Sequence, residues 1–213
     1  MPEQPTRPIK TGTGGAPLEP WPLLRSEIVQ SFRIYDLRRD FRRSPRTGKE
    51  HTFLVLDTAD WVNVVPVTPQ GNVVMIRQFR HGTGAFVLEV PGGMVDPGDT
   101  SPEEAGRREL LEETGYAAER FRYIGAVHPN PAIQNNLCHT FLAESVRPRQ
   151  AQRLEGTEDI EVIEIPYERI PDMIASGEIT HSLVLMAFFW YELHLRGKRP
   201  PSAPEPALKN RPE

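Results

Sequence analysis

The spacing of apolar and polar residues predicts strands interleaved with a few helices. Short or alternating apolar runs, which favour strands, occupy residues 27–35, 52–57, 62–67, 72–77, 86–90, 121–127, 138–142 and 159–165. Helical patterns cover about residues 102–114, 167–175 and 182–196. The last helix carries an apolar stripe that we expect to pack in the core, formed by Leu183, Met186, Ala187, Trp190 and Leu193. This order of elements indicates an α/β fold.

The helix predicted at residues 102–114 has start and stop signals at both ends. Ser101 suits the N-cap, and Pro102 suits the first helical position. Glu104 follows the serine by three residues, a spacing at which it closes a capping box. Gly115 is placed to end the helix in the left-handed conformation.

Three glutamates of this helix form a candidate metal site. The spacings of Glu109, Glu112 and Glu113 place them on one helical face, and Arg108 can pair with Glu112. Glu109 and Glu113 oppose each other as like charges, which a cation between them would relieve. Clustered carboxylate oxygens are ligands that Mg2+ prefers. The alternative is an ordinary acidic face exposed to solvent.

The segment that contains these glutamates, residues 93–116, resembles the Nudix box, the signature of the Nudix hydrolases. That pattern is Gly, five residues, Glu, seven residues, then Arg-Glu-apolar-x-Glu-Glu-x-Gly-apolar; this chain matches it at Gly93 and from Arg108 onward. It departs from the pattern twice, because Asp99 replaces the first glutamate and one extra residue separates it from Arg108. We expect the extra residue to lie in the loop before the helix cap, where it does not rotate the glutamate face.

Stretches outside the box resemble the ADP-ribose pyrophosphatase and nucleotide-sugar hydrolase branch of this family, over about residues 30–195. They are residues 76–80, 88–93, 155–160 and 177–182, with Pro131 near the position of a proline in that branch. The resemblance implies a Nudix α/β/α sandwich with a mixed β-sheet, plus an N-terminal antiparallel β subdomain.

The resemblance also assigns roles to single residues. It implies that the metal ligands are Gly92, through its carbonyl group, Glu109, Glu112 and Glu113. The general base would be Glu155 or Glu158, and the sequence does not separate the two. Arg108 would hold Glu112 in the orientation needed for catalysis.

Candidate substrate contacts lie outside the helix. The resemblance implies that Arg80 binds phosphate, with Arg77 as a second candidate and Pro131 in the substrate loop. For either arginine, a surface charge at a strand end is the alternative interpretation. Glu89 either supports the metal loop or is a buried polar residue satisfied by its neighbours.

The chain divides into four predicted segments. They are a flexible Pro/Gly-rich arm at residues 1–20, an N-terminal β subdomain at 21–60, the Nudix domain at 61–198 and a Pro-rich tail at 199–213. The resemblance implies that the β subdomain builds a homodimer. Within it, the basic stretch at residues 37–49 is expected to be a solvent-exposed hairpin loop; alternatively, its arginines meet phosphates or an adjacent subunit.

Composition narrows the functional class and the compartment. The 213 residues suit one domain with a sizeable core, and a net charge of −4 argues against nucleic-acid binding through a basic surface. The lone Cys138 fits a reducing compartment. The N-terminus lacks the apolar stretch of a signal peptide, and the apolar run at residues 183–191 is too short to span a membrane. We therefore expect a cytoplasmic protein without a membrane or nucleic-acid partner.

These features predict a hydrolase that depends on Mg2+, with Mn2+ as a possible substitute. The expected substrate is a small nucleoside diphosphate sugar, foremost ADP-ribose, which would be split into AMP and ribose 5-phosphate. One alternative keeps the chemistry and changes the substrate to GDP-mannose or another nucleotide sugar. A further alternative is a non-catalytic Nudix-like sensor that binds a nucleotide without cleaving it.

Overall fold

The computed structural model describes residues 18–154, 156–200 and 202. Most of the predicted arm at residues 1–20 and of the predicted tail at 199–213 lies outside these ranges. One of the two candidate bases, Glu155, also lies outside the described residues.

Strands dominate the first half of the described chain, and helices close it. The strands are β1 (Leu23–Ser31), β2 (Asp36–Arg43), β3 (Glu50–Asp57), β4 (Trp61–Val67), β5 (Asn72–Arg80), β6 (Ala85–Glu89), β7 (Gly92–Met94), β8 (Tyr116–Ala117), β9 (Arg120–Val127), β10 (Cys138–Glu144), β11 (Arg147–Pro148) and β12 (Ile160–Pro166). The helices are α1 (Pro102–Thr114), α2 (Ile170–Ala175), which follows a 3-10 turn at Tyr167–Arg169, and α3 (Ser182–Leu195). The predicted bounds of α1 are confirmed.

The main sheet is mixed, as predicted. Its strand order is β12-β5-β4-β10-β9, with β6 paired to β5 and β7 paired to β4. The central pair β4–β10 is parallel, whereas the pairs β10–β9, β4–β5 and β12–β5 are antiparallel. The short strand β7 therefore brings the glycine loop against the middle of the sheet.

Helices cover both faces of this sheet. Successive residues of a strand point to opposite faces. On β4, Val64 packs in a cluster with Leu110 of α1, while Val65 packs in a cluster with Val184 of α3. The α/β/α sandwich is thereby confirmed, with α1 on one face and α3 on the other.

Helix α3 buries a face slightly different from the predicted stripe. Its buried residues are Val184, Ala187, Phe188 and Tyr191. Trp190 is only partly buried, and its ring occupies the space that a side chain at Gly125 would need. Within the described residues, no helix has both the length and the apolar character needed to cross a membrane.

The N-terminal sheet, β1-β2-β3, is antiparallel and separate from the main sheet. Its middle strand β2 corrects our expectation that all of residues 37–49 form a hairpin loop, because residues 37–43 belong to β2 and only residues 44–49 connect it to β3. The basic side chains are neutralised by partners within the sheet: Arg38 and Arg42 both pair with the fully buried Asp40, and Arg38 also pairs with Asp57. Paired in this way, the charges no longer require a solvated loop.

A cleft of about 460 Å³ separates this sheet from the loop that follows β9. Trp21 and Phe53 line it on one side and Pro131 on the other. The backbone N–H of Leu56 donates to the carbonyl of Ile133 at 2.7 Å, so the N-terminal sheet holds this loop directly.

Candidate active site

Local signals fix both ends of the helix that carries the glutamates. The Ser101 hydroxyl accepts a hydrogen bond from the backbone N–H of Glu104 at 3.2 Å, and Gly115 ends the helix with a φ of 74°. In the predicted capping box, the Glu104 side chain would accept a hydrogen bond from the backbone N–H of Ser101. In the structure, it binds the preceding residue. The Glu104 carboxylate accepts from the backbone N–H and the hydroxyl of Thr100, at 2.6 and 2.5 Å. Thr100 precedes the cap, so the loop before α1 is bound to the first helical turn.

Two adjacent glycines let this loop approach the sheet and the helix. A side chain at Gly92 would clash with the backbone carbonyl of Val62 in β4. A side chain at Gly93 would clash with the carboxylate of Glu109 in α1. Glycine is therefore required at Gly92, where the β4 backbone lies directly against it, whereas an added side chain at Gly93 would displace the Glu109 carboxylate.

The structure buries the predicted metal ligand Glu113 beside this loop and partly buries Glu109. Glu113 is 4% exposed and accepts a hydrogen bond from the backbone N–H of Gly92 at 2.8 Å. Burial raises its pKa well above the usual value, and the charges of Glu109 and Glu158 raise it further. Burial, with repulsion from Glu112 and Glu158, also raises the pKa of Glu109, to about 7. The third predicted ligand, Glu112, is more exposed and pairs with Arg108 at 3.2 Å.

One of the two candidate bases joins the same cluster. Glu158 is partly buried just before β12, close enough that its charge raises the pKa of both Glu109 and Glu113. The charge of Glu158 also raises the pKa of Arg80. The other candidate, Glu155, lies outside the described residues.

Arg108 links the carboxylates to the loop before α1. One of its terminal nitrogens lies 3.0 Å from Glu109 and 3.2 Å from Glu112, which agrees with the predicted pairing to Glu112. Its other side forms two hydrogen bonds with Asp99, at 3.2 and 3.0 Å. The hydrogen bond to Asp99 is the largest cause of a raised Arg108 pKa. Sequence reasoning identified Asp99 only as the residue that replaces the first glutamate of the pattern and missed this contact.

Of the two arginines on β5, the structure brings one to the cluster. Arg80 forms a bidentate pair with the buried Glu89, at 2.6 and 2.7 Å, and its pKa is raised, first by this bond and also by the charges of Glu113 and Glu158. Arg77 is three residues away along the strand and therefore points to the opposite face. There it pairs with the exposed Glu161 at 2.6 Å.

Pro131 is placed apart from the carboxylates. It is exposed in the loop after β9 and lines the cleft against the N-terminal sheet. If Pro131 contacts the substrate as predicted, the contact therefore lies in this cleft and not at the glutamate cluster.

The carboxylate cluster fits a divalent cation. Glu109 and Glu113 are desolvated, and they repel each other and Glu158. A cation among their oxygens would offset both the cost of desolvation and this repulsion. Within the described residues, no three His, Cys, Asp or Glu side chains are already arranged as a metal site. A cation here would therefore also take oxygens from the backbone, water or a phosphate, as Mg2+ commonly does.

The close contact at Gly93 generates a testable prediction. A Gly93→Ala substitution must displace the Glu109 carboxylate, and we expect Mn2+ affinity, measured by calorimetry, to fall by roughly tenfold, the scale of losing a supporting contact in a metal site. Gly82→Ala is the matched control, because nothing lies within 4 Å of the added methyl group. Equal Mn2+ affinity in both variants would contradict this role for Gly93.

Comparisons with known proteins identify relatives in sequence and a solved structure with the same fold. An ADP-ribose pyrophosphatase of Bacillus subtilis (strain 168) is 32% identical over 171 residues, which cover 80% of this chain and 91% of that protein. A GDP-mannose pyrophosphatase of Salmonella arizonae is 33% identical over 189 residues, covering 82% and 97%. A solved structure of an ADP compounds hydrolase has the same fold, with a TM-score of 0.76 at 21% identity, covering 86% of this chain and 98% of that one.

The match to a family model and the structure of the signature segment together identify the protein family. The sequence matches the family model for the NUDIX domain over residues 57–185, from the end of β3 into α3. The signature segment forms the glycine loop and the capped helix that gather the carboxylates. The chain belongs to the Nudix family and is a Nudix hydrolase.

Proposed function

We propose that this protein hydrolyses the diphosphate bond of a nucleoside diphosphate linked to a sugar, with ADP-ribose as the substrate and AMP and ribose 5-phosphate as the products. The observation that carries the proposal is the cluster of the buried Glu113 with the partly buried Glu109 and Glu158, with Arg80 beside it. The similarity to the ADP-ribose pyrophosphatase of B. subtilis supports the choice of substrate.

Glu109, Glu112, Glu113 and the carbonyl of Gly92 are proposed to hold Mg2+, with Mn2+ as a substitute. When bound, a divalent cation would neutralise charge on the diphosphate oxygens and activate the attacking water. The protein's own part is to fix the oxygens in place. Gly92 donates to Glu113, and Arg108 contacts both Glu109 and Glu112.

Arg80 is proposed to bind a phosphate of the substrate. Glu89 accepts hydrogen bonds from its Nε and from one terminal nitrogen, which sets the plane of the guanidinium group. An arginine has five N–H donors, so others remain for phosphate oxygens. With its side chain 45% exposed, Arg80 is also accessible to a ligand.

Glu158 is proposed to be the general base that takes a proton from the attacking water. It is partly buried and close enough for its charge to act on both Glu109 and Glu113, which supports a role beside the proposed metal ligands. Glu155 is the competing assignment.

A substrate panel tests the proposed activity. We expect the protein with Mg2+ to release AMP from ADP-ribose in preference to GDP-mannose, other nucleotide sugars, dinucleotide polyphosphates and coenzyme A. Glu113→Gln should lower turnover by more than the roughly 10- to 100-fold loss typical of groups around a metal site, because it alters a direct ligand. Glu103→Gln, which removes an exposed carboxylate of the same helix, is the control.

The panel also separates the alternatives. Preference for GDP-mannose would keep the site and change the substrate, an outcome that the Salmonella arizonae relative makes a specific candidate. Nucleotide binding without turnover of any compound would contradict the proposed activity and indicate a sensor.

A pair of matched variants identifies the base. Glu158→Gln should lower kcat by about 10²- to 10⁴-fold, the usual contribution of a general base, with little change in KM. Glu155→Gln, three residues earlier, should keep most of the activity. A larger kcat loss in Glu155→Gln, measured in the same assay, would transfer the role to Glu155.

We also propose that residues 21–60 are a subdomain that forms a homodimer. Large apolar side chains are exposed on and beside the N-terminal sheet: Ile28, Val29, Phe32, Ile34, Phe53 and Leu54. Exposed apolar surface of this extent is typical of an interface.

Sedimentation velocity tests the dimer. The wild-type protein should sediment as a dimer, and Ile28→Asp should shift it to a monomer, because a charge would be buried at an apolar contact. Leu195→Asp, which alters an exposed leucine at the end of α3, should stay dimeric. A monomeric wild type would rule the proposal out.

A further inference from the structure

The loop that follows β9, residues 128–137, is folded against the N-terminal sheet. Its middle forms a turn, in which the carbonyl of Asn130 accepts hydrogen bonds from the backbone N–H groups of Ile133 and Gln134, at 3.1 and 2.8 Å. Gln134 also forms a parallel bridge with β3, the edge strand of that sheet. Pro131, for which we predict a substrate contact, lies within this turn.

The side chain of Asn135 ties the loop to the end of β3. Its amide nitrogen donates to the carboxylate of Asp57 at 2.8 Å, and its amide oxygen accepts from the backbone N–H of Thr58 at 3.2 Å. Both the donor and the acceptor of the amide are therefore used on two adjacent residues. This pair of hydrogen bonds fixes the position of the loop relative to the sheet.

The N-terminal sheet in turn orients Asp57. One oxygen of Asp57 accepts from Asn135, and the other accepts from Arg38 of β2. Arg38 is itself held by the fully buried Asp40 of the same strand, at 2.9 Å. A chain of hydrogen bonds therefore runs from the middle strand of the N-terminal sheet to the loop that carries Pro131.

The far end of the loop has separate anchors on the main sheet. The backbone N–H of Leu137 donates to the Asp60 carboxylate at 3.0 Å, and the carbonyl of Leu137 accepts from the backbone N–H of Trp61 at 2.8 Å. These bonds lead directly into β10. Loss of the Asn135 amide would therefore release the middle of the loop, while the main sheet and the glycine loop beside β4 keep their contacts.

The middle of the loop is one wall of the cleft of about 460 Å³, which residues 131–135 line. On the opposite wall, Trp21 and Phe53 contact each other edge to face, with 5.6 Å between their ring centroids. The width of the cleft depends on where the loop is held against the N-terminal sheet. Asn135 is placed to set that width.

We propose that Asn135 is a positioning residue for substrate binding, which sets the loop that carries Pro131 through its hydrogen bonds with Asp57 and Thr58. The inference rests on the proposed function and on the predicted contact of Pro131 with the nucleotide sugar. It makes the N-terminal sheet part of the support of the substrate site, because Arg38 of that sheet orients Asp57.

Three variants test this role: Asn135→Ala, Asn135→Asp, and the exchanged pair, in which Asn135→Asp is combined with Asp57→Asn. Hydrolysis of ADP-ribose gives kcat and KM, and calorimetry in metal-free buffer gives the affinity for ADP-ribose apart from turnover. Asn135→Ala should raise KM and weaken binding by roughly tenfold, the scale of losing one or two hydrogen bonds. We expect unchanged kcat and Mn2+ affinity, because Asn135 contacts none of the proposed metal ligands.

The exchanged pair is the decisive variant. Asn135→Asp alone places two carboxylates at hydrogen-bond distance, so it should weaken ADP-ribose binding at least as much as Asn135→Ala. With Asp57→Asn added, a donor again faces an acceptor, and the amide oxygen at position 57 can still accept from Arg38. The exchange should therefore restore most of the affinity and the KM.

Asn130→Ala is the matched control in the same loop, because the hydrogen bonds of Asn130 are made by its backbone carbonyl. Its KM and affinity for ADP-ribose should equal those of the wild type. Melting temperatures show whether each variant is folded. If Asn135→Ala unfolds, the comparison of Asn135→Asp with the exchanged pair decides.

Two outcomes would overturn the inference. One is wild-type KM and affinity in folded Asn135→Ala, and the other is an exchanged pair that binds ADP-ribose no better than Asn135→Asp. A wild-type protein that binds ADP-ribose without cleaving it would contradict the proposed hydrolysis, and the affinities of the variants would still test Asn135. A wild-type protein that binds no nucleotide sugar would overturn both.

Discussion

The placement of the partly buried Glu109 beside the buried Glu113 is the constraint on which the rest of the site depends. Two carboxylates removed from water and close to a third acid, Glu158, are costly while all are ionised, and their raised pKa values express that cost. Positive charge must therefore be supplied locally. The protein provides part of it through arginines and leaves a place suited to a divalent cation.

Two arginine–acid pairs flank the buried carboxylates. Asp99 orients Arg108 on the side of the loop before α1, and Glu89 orients Arg80 on the side of β5. Both pairs are bidentate, and in both the acid is buried while the arginine keeps contact with the site. The same physical arrangement thus serves two proposed purposes, orientation of metal ligands by Arg108 and phosphate binding by Arg80.

The sequence predicted the features that depend on short spacing. The caps and the helical period placed α1 and the shared face of its glutamates, because both are local properties. It was wrong about residues 37–43, which belong to strand β2, where Asp40 and Asp57 pair with Arg38 and Arg42. The pairing of Arg80 with Glu89 depends on the register of β5 with β6, and that of Arg108 with Asp99 on a turn that closes onto its own carboxylate. Neither register nor turn geometry could be derived from residue types alone.

The central claim is that the cluster of Glu109 and Glu113 binds a divalent cation. Its most direct test is anomalous diffraction from crystals of the protein soaked with Mn2+. The account predicts an anomalous peak within coordination distance of both carboxylates, beside Gly92. Mn2+ bound only elsewhere on the protein, with no anomalous peak beside Glu109 and Glu113, would contradict it.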